Sequence, residues 1–154
     1  MKRAPLVFAT LAAITALSLA MANPTEITIR YEVEGFDLDV AETHPVASRS
    51  ARDVPAGWDV RLAFNPRRDN PAVVVPNGLN GVEISILEQA AFADVGGDDR
   101  NDESFIRGPR DIPFDQDTVL LVKTDTGALF KIGNPAPAEG GLRFQFERIG
   151  GDDE

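Results

Sequence analysis

The side chains that could carry catalysis are few, and His44 is the first of them. It is the single histidine of the chain, and the chain contains no cysteine. A catalytic triad needs a base beside its nucleophile, and a zinc site needs about four Cys, His or carboxylate ligands. His44 stands in the polar stretch Glu42-Thr43-His44-Pro45, which we expect to be a solvated loop. The sequence therefore indicates a non-enzymatic protein with no metal site.

Charged residues offer two further kinds of chemistry. Arg67 and Arg68 are adjacent, and two guanidinium groups could form a fork for a carboxylate or a phosphate, as could Arg107 and Arg110. Pairing with the many carboxylates of the chain is the alternative for both pairs. A loop of glycine and acids could gather oxygen ligands for calcium, although its spacing is not that of a calcium loop and a solvated loop is the alternative (Asp98, Asp99, Asn101, Asp102 and Glu103).

Residues 1–22 have the three parts of a secretory signal peptide. Lys2 and Arg3 precede an apolar run, and the run ends in small residues before Asn23. We expect cleavage between Ala22 and Asn23, which places the mature protein outside the cytoplasm, in the periplasm or secreted. The apolar run is shorter than the roughly 20 residues of a spanning helix, and nothing later is apolar enough to span. No transmembrane segment is expected after signal removal.

The size and the charge of the mature chain limit its domain number and its partners. Cleavage would leave 132 of the 154 residues, enough for one domain over residues 23–149, followed by an acidic tail at 150–154. Loss of the two leader cations changes the formal net charge from −10 to −12. Such a charge repels phosphate backbones and anionic lipid surfaces, so no nucleic-acid partner is expected. A small molecule or a protein remains as partner.

Alternation of apolar and polar residues predicts an all-β fold, either a single antiparallel sandwich or a partly closed sheet. In Trp58–Phe64 the alternation puts Trp58 on the core face, with a place in a pocket wall as its alternative. A hairpin is predicted through Asp125-Thr126-Gly127, and seven or eight strands are expected in all. The clearest predicted strands are Ile27–Val33, Phe36–Val40, Trp58–Phe64, Val82–Ile86, Val119–Val122, Ala128–Ile132 and Leu142–Phe146.

Three of these blocks, read in order, resemble the HmuY-like family of exported haem-binding proteins. The Trp58–Phe64 strand is followed by the Asn-Gly-rich stretch Asn77–Gly81, the hairpin Val119–Ile132 has the Thr-x-x-Gly turn, and Leu142–Arg148 stands at the place of the closing strand. The likeness runs from Phe36 to Ile149. It implies an all-β fold and a haem held between two axial side chains, histidines in most members and methionines in some.

The ligand set of that family is missing here. Met1 and Met21 both lie in the leader, so His44 and Tyr31 are the conventional axial candidates left in the mature chain. Tyr31 is expected on an inward strand face and His44 in a loop, so we predict no haem bound through two axial side chains, and no other cofactor. The sequence favours an exported binding module with an unidentified ligand, and the alternative is a periplasmic or cell-surface structural or protein-interaction module. An apolar concavity with Arg67 or His44 at its mouth would favour the first, and an exposed hydrophobic sheet edge the second.

Overall fold

The protein is an all-β sandwich of two antiparallel sheets, as predicted. The computed structural model describes residues 24–46, 57–67, 72–108 and 110–151. Within these residues the six-stranded sheet has the order β1-β11-β10-β9-β6-β7, and the five-stranded sheet has the order β3-β2-β4-β5-β8. The strands are β1 (Thr25–Arg30), β2 (Glu34–Asp37), β3 (Glu42–Pro45), β4 (Val60–Phe64), β5 (Ala72–Pro76), β6 (Glu83–Glu88), β7 (Ile106–Arg107), β8 (Ile112–Pro113), β9 (Thr118–Lys123), β10 (Ala128–Ala138) and β11 (Gly141–Gly151).

The hairpin of β9 and β10 is confirmed where the sequence predicts it. Phe130 pairs with Val122, and Ile132 pairs with Leu120. The Thr124 amide donates to the Ala128 carbonyl at 2.9 Å and closes the turn. Gly127 has a φ of 86°, a conformation that glycine adopts at no steric cost. Local turn chemistry and the apolar segments on either side of the turn therefore agree on this element.

The main core lies between the two sheets. Strands of both sheets alternate apolar with polar residues, so one row of side chains from each points inward. Edge-to-face rings cross the interface, with Phe36 5.1 Å from Phe146 and Phe114 5.8 Å from Phe144 between ring centroids. The largest fully buried side chains are Phe36, Phe114, Phe144, Ile29, Leu38, Leu62, Ile84, Ile112, Leu120, Leu121, Leu129 and Ile132.

A second apolar cluster covers the outer face of the six-stranded sheet. Phe92 and Val95 pack there against Val119, Leu121 and Leu129. The segment is held by the buried Lys131, whose ammonium donates at 2.8 Å to the carbonyls of Phe92 and Val95 and lies 3.2 Å from the Glu147 carboxylate. All three ammonium protons thus have partners, which is how a buried lysine is tolerated. This cover explains why β9 is apolar on both faces.

The first predicted strands end earlier than the alternation suggests. β1 stops at Arg30, because Tyr31, Glu32 and Val33 form a turn that carries the chain to the other sheet. Glu32 has a φ of 67°, and Val33 is 46% exposed instead of inward. The alternation does not predict this turn, because Tyr31 and Val33 continue the two-residue spacing of the apolar side chains in β1.

The prediction of a loop around His44 is wrong. Residues Glu42–Pro45 form β3, the edge strand of the five-stranded sheet, with His44 opposite Gly35 of β2. Polar residues suit an edge strand, whose outer side faces water, so polarity did not distinguish strand from loop.

Trp58 is buried, but it precedes β4 and so lies outside the strand whose alternation predicts that Trp58 faces the core. β4 begins at Val60, and a Cβ on Gly35 would come within 2.6 Å of the Trp58 ring. Phe36 points into the core, so its neighbour Gly35 and the Trp58 ring lie on the opposite face of β2. At the other end of β4, Phe64 is 48% exposed rather than in the core.

The C-terminal strand extends beyond the predicted domain boundary, whereas the predicted N-terminal boundary lies outside the described residues. β11 runs to Gly151, two residues into the segment predicted to be a tail, because it pairs with the start of β10. The predicted leader, its cleavage site at Ala22 and Asn23, and residues 152–154 lie outside the described residues. Across the described ranges no helix has the length and apolar character needed to cross a membrane.

Candidate functional site

An open, mostly apolar cleft lies where the two sheets meet at one end of the sandwich, and we call it the mouth cleft. Its volume is about 380 Å³, within the range of roughly 300–1,000 Å³ of small-molecule sites. Both sheets contribute to it. The lining residues are Tyr31, Phe64, Ala72, Phe114, Asp115, Gln116, Pro135, Pro137, Ala138, Gly141 and Leu142.

Tyr31 and Phe64 form the aromatic rim of the mouth cleft. Their ring centroids are 5.5 Å apart at an interplanar angle of 61°, an edge-to-face arrangement. The turn after β1 positions Tyr31, because its amide donates to the Gly140 carbonyl at 3.0 Å and the next amide donates to the Leu62 carbonyl at 2.9 Å. Partial burial raises the pKa of the Tyr31 hydroxyl, so this group is neutral at physiological pH and offers a hydrogen bond.

Asp115 and Gln116 supply polar groups to the lining of the mouth cleft. Asp115 Oδ1 accepts from the Asp117 amide at 3.0 Å and from the Thr118 hydroxyl at 2.8 Å, which fixes this carboxylate just before β9. Gln116 Nε2 donates to the Pro135 carbonyl at 3.4 Å. These bonds place a carboxylate and a carboxamide beside an apolar surface.

A second, polar cleft adjoins the first, and we call it the amide cleft. It has a volume of about 480 Å³ and is lined by Gln89, Ala90, Ala91, Gln116, Asp117 and Asn134. Gln116 lines both clefts, so the two clefts meet at this side chain. Gln89 and Asn134 adopt φ values of 54° and 51°, which are uncommon outside glycine and concentrate at binding sites.

A bulge in β10 shapes the wall shared by the two clefts. The register between β10 and β11 shifts between Gly133 and Ala136, and Pro135, which lacks a ladder donor, sits within the shift. The bulge turns Asn134 to the amide cleft and Pro135 to the mouth cleft. Bulges of this kind re-aim side chains beside binding sites.

The structure separates the residues that the sequence suggests as ligands. Tyr31 lines the mouth cleft, whereas His44 is half-buried in β3, and its Nε2 has no hydrogen-bond partner among the described residues. Arg67 is exposed just after β4 and does not line either cleft, and Arg68 lies outside the described residues. Of the two axial candidates, Tyr31 therefore lines the mouth cleft and His44 lines neither cleft.

The acids of the glycine-rich loop bond within their own turns. Asp99 Oδ2 accepts from the Gly96 amide at 2.8 Å, Asp102 pairs with Arg100 at 2.6 Å, and Asn101 accepts from the Glu103 amide. Two short 3-10 turns, Gly97–Asp99 and Asp102–Ser104, result from these bonds. Of the second predicted arginine pair, Arg107 lies 3.5 Å from Glu83 and Arg110 is exposed.

The structure contains a carboxylate cluster that the sequence does not predict, formed by Asp37, Asp39 and Asp59. One oxygen from each lies within 4.8 Å of the others. Asp59 is only 3% exposed, and its Oδ2 accepts from the Leu38 amide at 2.7 Å. Burial raises the pKa of Asp59 to about 7, with smaller upward contributions from Asp37, Asp39 and Asp125, while the Leu38 hydrogen bond lowers it.

This cluster connects the two sheets. Asp39 Oδ1 accepts from the Thr124 hydroxyl at 3.2 Å and from the Thr126 hydroxyl at 3.0 Å, both in the turn between β9 and β10. Oxygen groups of this type suit a hard cation. The hydrogen bonds already made to Asp39 and Asp59 give the cluster a structural role, which joins the hairpin turn to β2 and β4.

Comparison with known proteins gives no relative. No family model matches the chain, and no curated protein or solved structure matches it significantly. The functional evidence is therefore the geometry of the chain itself.

Proposed function

We propose that the protein is an exported, non-enzymatic binding module whose ligand occupies the mouth cleft. The observation that carries the proposal is the cleft itself, a mostly apolar concavity of about 380 Å³ whose lining includes the rings of Tyr31 and Phe64 and the polar side chains of Asp115 and Gln116. Concave apolar surface with a few placed polar groups is the usual form of a small-molecule site. Neither Arg67 nor His44 lines the cleft, so its polar groups differ from those expected from the sequence.

The alternative is a structural or protein-interaction module that binds a partner through a sheet edge. β3 is the outer strand at one edge of the five-stranded sheet, and its residues Glu42, Thr43 and Pro45 are exposed. A short polar edge strand with a proline resists pairing with another strand. The β3 edge is therefore a poor platform for a partner strand, and a partner would pair instead with β1, the six-residue edge strand of the other sheet.

Phe64→Ala tests the proposal with a neutral fluorescent probe, N-phenylnaphthylamine. We expect the protein to bind the probe with enhanced fluorescence, and the variant to bind it about three- to tenfold more weakly because the aromatic rim is lost. Phe64 is half-exposed, so the fold should survive the change. Fluorescence titration gives both affinities.

Leu79→Ala is the matched control, because Leu79 is 64% exposed and lines neither cleft. It should bind the probe as the parent protein does. Equal affinities for the parent and both variants would place the probe elsewhere and remove the support for this cleft.

The HmuY-like resemblance remains part of the proposal, without its haem site. The resemblance implies an all-β fold, which the chain has, and the position of His44 outside both clefts supports the absence of two-sided axial ligation. We expect haemin titration to give no sharp low-spin spectrum. A low-spin spectrum that disappears in His44→Ala would contradict this and make His44 the binding centre.

Export is tested on the mature protein. We expect mass spectrometry of the protein from its native host to give the mass of a chain that begins at Asn23, since residues 1–22 have the order of a signal peptide. Mature protein that keeps residues 1–22 would contradict the export step and leave the cleft proposal unaffected.

A further inference from the structure

We propose that the ligand is a small amphiphile with an apolar body and a protonated amine, and this inference rests on the proposed function. The apolar body would occupy the mouth cleft between Phe64 and Leu142, and the amine would lie at the junction with the amide cleft, beside Gln116. The chemistry of the junction leads to this assignment.

The polar groups at the junction offer acceptors to a ligand. Gln116 Nε2 already donates to the Pro135 carbonyl, so its carbonyl oxygen remains for a ligand. Asn134 Nδ2 likewise donates to Gln145 Oε1 at 2.8 Å. Each carboxamide keeps one amide hydrogen and its oxygen, whereas the ionised carboxylates of Asp115 and Asp117 offer acceptors only. Acceptors therefore outnumber donors at the junction, which favours a ligand that brings donors.

The charge at the junction has one sign. Asp115 belongs to the mouth cleft and Asp117 to the amide cleft, so the two carboxylates lie on either side of Gln116 along the chain. Among the described residues that line the two clefts there is no lysine, arginine or histidine. An ammonium group combines positive charge with three donors and so complements both the carboxylates and the carboxamide oxygens.

The apolar part of the ligand is limited in size and in polarity. Pro135, Pro137, Ala138 and Leu142 provide an apolar wall, and Tyr31 adds one neutral hydroxyl. A cleft of about 380 Å³ holds a body of the size of one or two fused rings. The class is therefore an aromatic or compact aliphatic amine rather than a sugar or a nucleotide.

Three naphthalene probes of similar size and different charge test the ligand class separately from the question whether the cleft binds a ligand at all. They are naphthylmethylammonium, naphthylmethanol and naphthoate, which carry positive, zero and negative charge. We expect isothermal titration at pH 7 to give the order amine, alcohol, carboxylate, with the amine about three- to tenfold tighter than the alcohol. Added salt should reduce this preference, because the carboxylates are partly exposed.

Asp117→Asn and Asp98→Asn form a matched pair, since each removes one exposed carboxylate and only Asp117 lines a cleft. The backbone bond from the Ala90 amide to the Asp117 carbonyl does not depend on the side chain. We expect Asp117→Asn to weaken amine binding about two- to fivefold and leave alcohol binding unchanged. Asp98→Asn should change neither.

The outcomes distinguish the inference from the proposed function. If the alcohol binds as tightly as the amine, or naphthoate binds best, the ligand class is wrong and the cleft proposal stands. An equal effect of both Asn variants would assign the preference to the overall charge of the chain and also overturn the ligand class. If none of the three probes binds, both the ligand class and the cleft proposal fail.

Discussion

Phe130→Ala is expected to lower the free energy of unfolding by about 3–5 kcal/mol, the usual cost of removing a buried aromatic side chain. Phe130 is almost fully buried in the core between the sheets. Its ring centroid lies 6.4 Å from that of Phe146, which in turn contacts Phe36 of the opposite sheet. The truncation would leave a cavity in a row of rings that joins the two sheets, and such rows cannot collapse without moving a strand.

Chemical denaturation with urea measures this loss. Leu79→Ala provides the comparison, because it also shortens an apolar side chain but at an exposed position, where we expect a change within about 0.5 kcal/mol. A loss for Phe130→Ala of less than about 1 kcal/mol would show that the ring contributes little to the core.

The parts of the fold that could be predicted from sequence are those set by neighbouring residues. The hairpin of β9 and β10 needs only two short apolar segments joined by the turn Asp125-Thr126-Gly127, so local chemistry specifies it. The same holds for β11, whose apolar residues Leu142, Phe144 and Phe146 all point into the core. The all-β class follows from such elements.

The parts that could not be predicted depend on pairing between distant residues. β3 is a strand because β2 offers it a ladder, and its own polar residues give no apolar alternation. Trp58 is displaced from the expected face because Gly35 of another strand leaves room for its ring. Neither condition can be read from the segment concerned.

The residues of the candidate site likewise divide into those that the sequence predicts and those that depend on the assembled fold. Tyr31 is a candidate in the sequence because so few other ligating side chains exist, and the structure places it at the mouth cleft. Alternation in Trp58–Phe64 predicts that Phe64 shares the core face with Trp58, and no sequence pattern marks Phe114. Their signal, an aromatic residue beside a proline-containing turn or strand end, is too common to mark a cleft by itself. The cleft exists because β1, β4 and β10 end at one side of the sandwich, which is a property of the assembled fold.

The protein is expected to become more stable as the pH falls from about 8 to about 5, because of Asp59. Burial raises the pKa of Asp59 from its ordinary value of 3.8 to about 7, so the folded protein holds this proton more tightly than the unfolded chain does. The contribution of a group with a raised acid pKa is fully present below the unfolded value and is lost as the pH rises through the folded value. At about 1.4 kcal/mol per pKa unit, the gain on acidification is about 2–4 kcal/mol.

The physical basis of this gain is the carboxylate cluster. At high pH the charge on Asp59 is buried 2.7 Å from the Leu38 amide and faces Asp37, Asp39 and Asp125, all of them acids. Protonation removes the repulsion, while the Leu38 amide keeps an acceptor. The hydrogen bonds of Asp39 to Thr124 and Thr126 then hold the hairpin turn against β2 without opposing charge.

Urea denaturation at several pH values between 5 and 8 measures the effect, and Asp59→Asn identifies its source. The asparagine keeps an oxygen for the Leu38 amide and cannot ionise, so the variant should lose most of the slope and match or exceed the parent in stability at pH 8. Asp125→Asn removes a smaller source of repulsion and should reduce the slope only in part. An unchanged slope in Asp59→Asn would assign the pH dependence to other groups. A parent protein that loses stability from pH 8 to 5 by the same amount as Asp59→Asn would show that Asp59 does not titrate in this range.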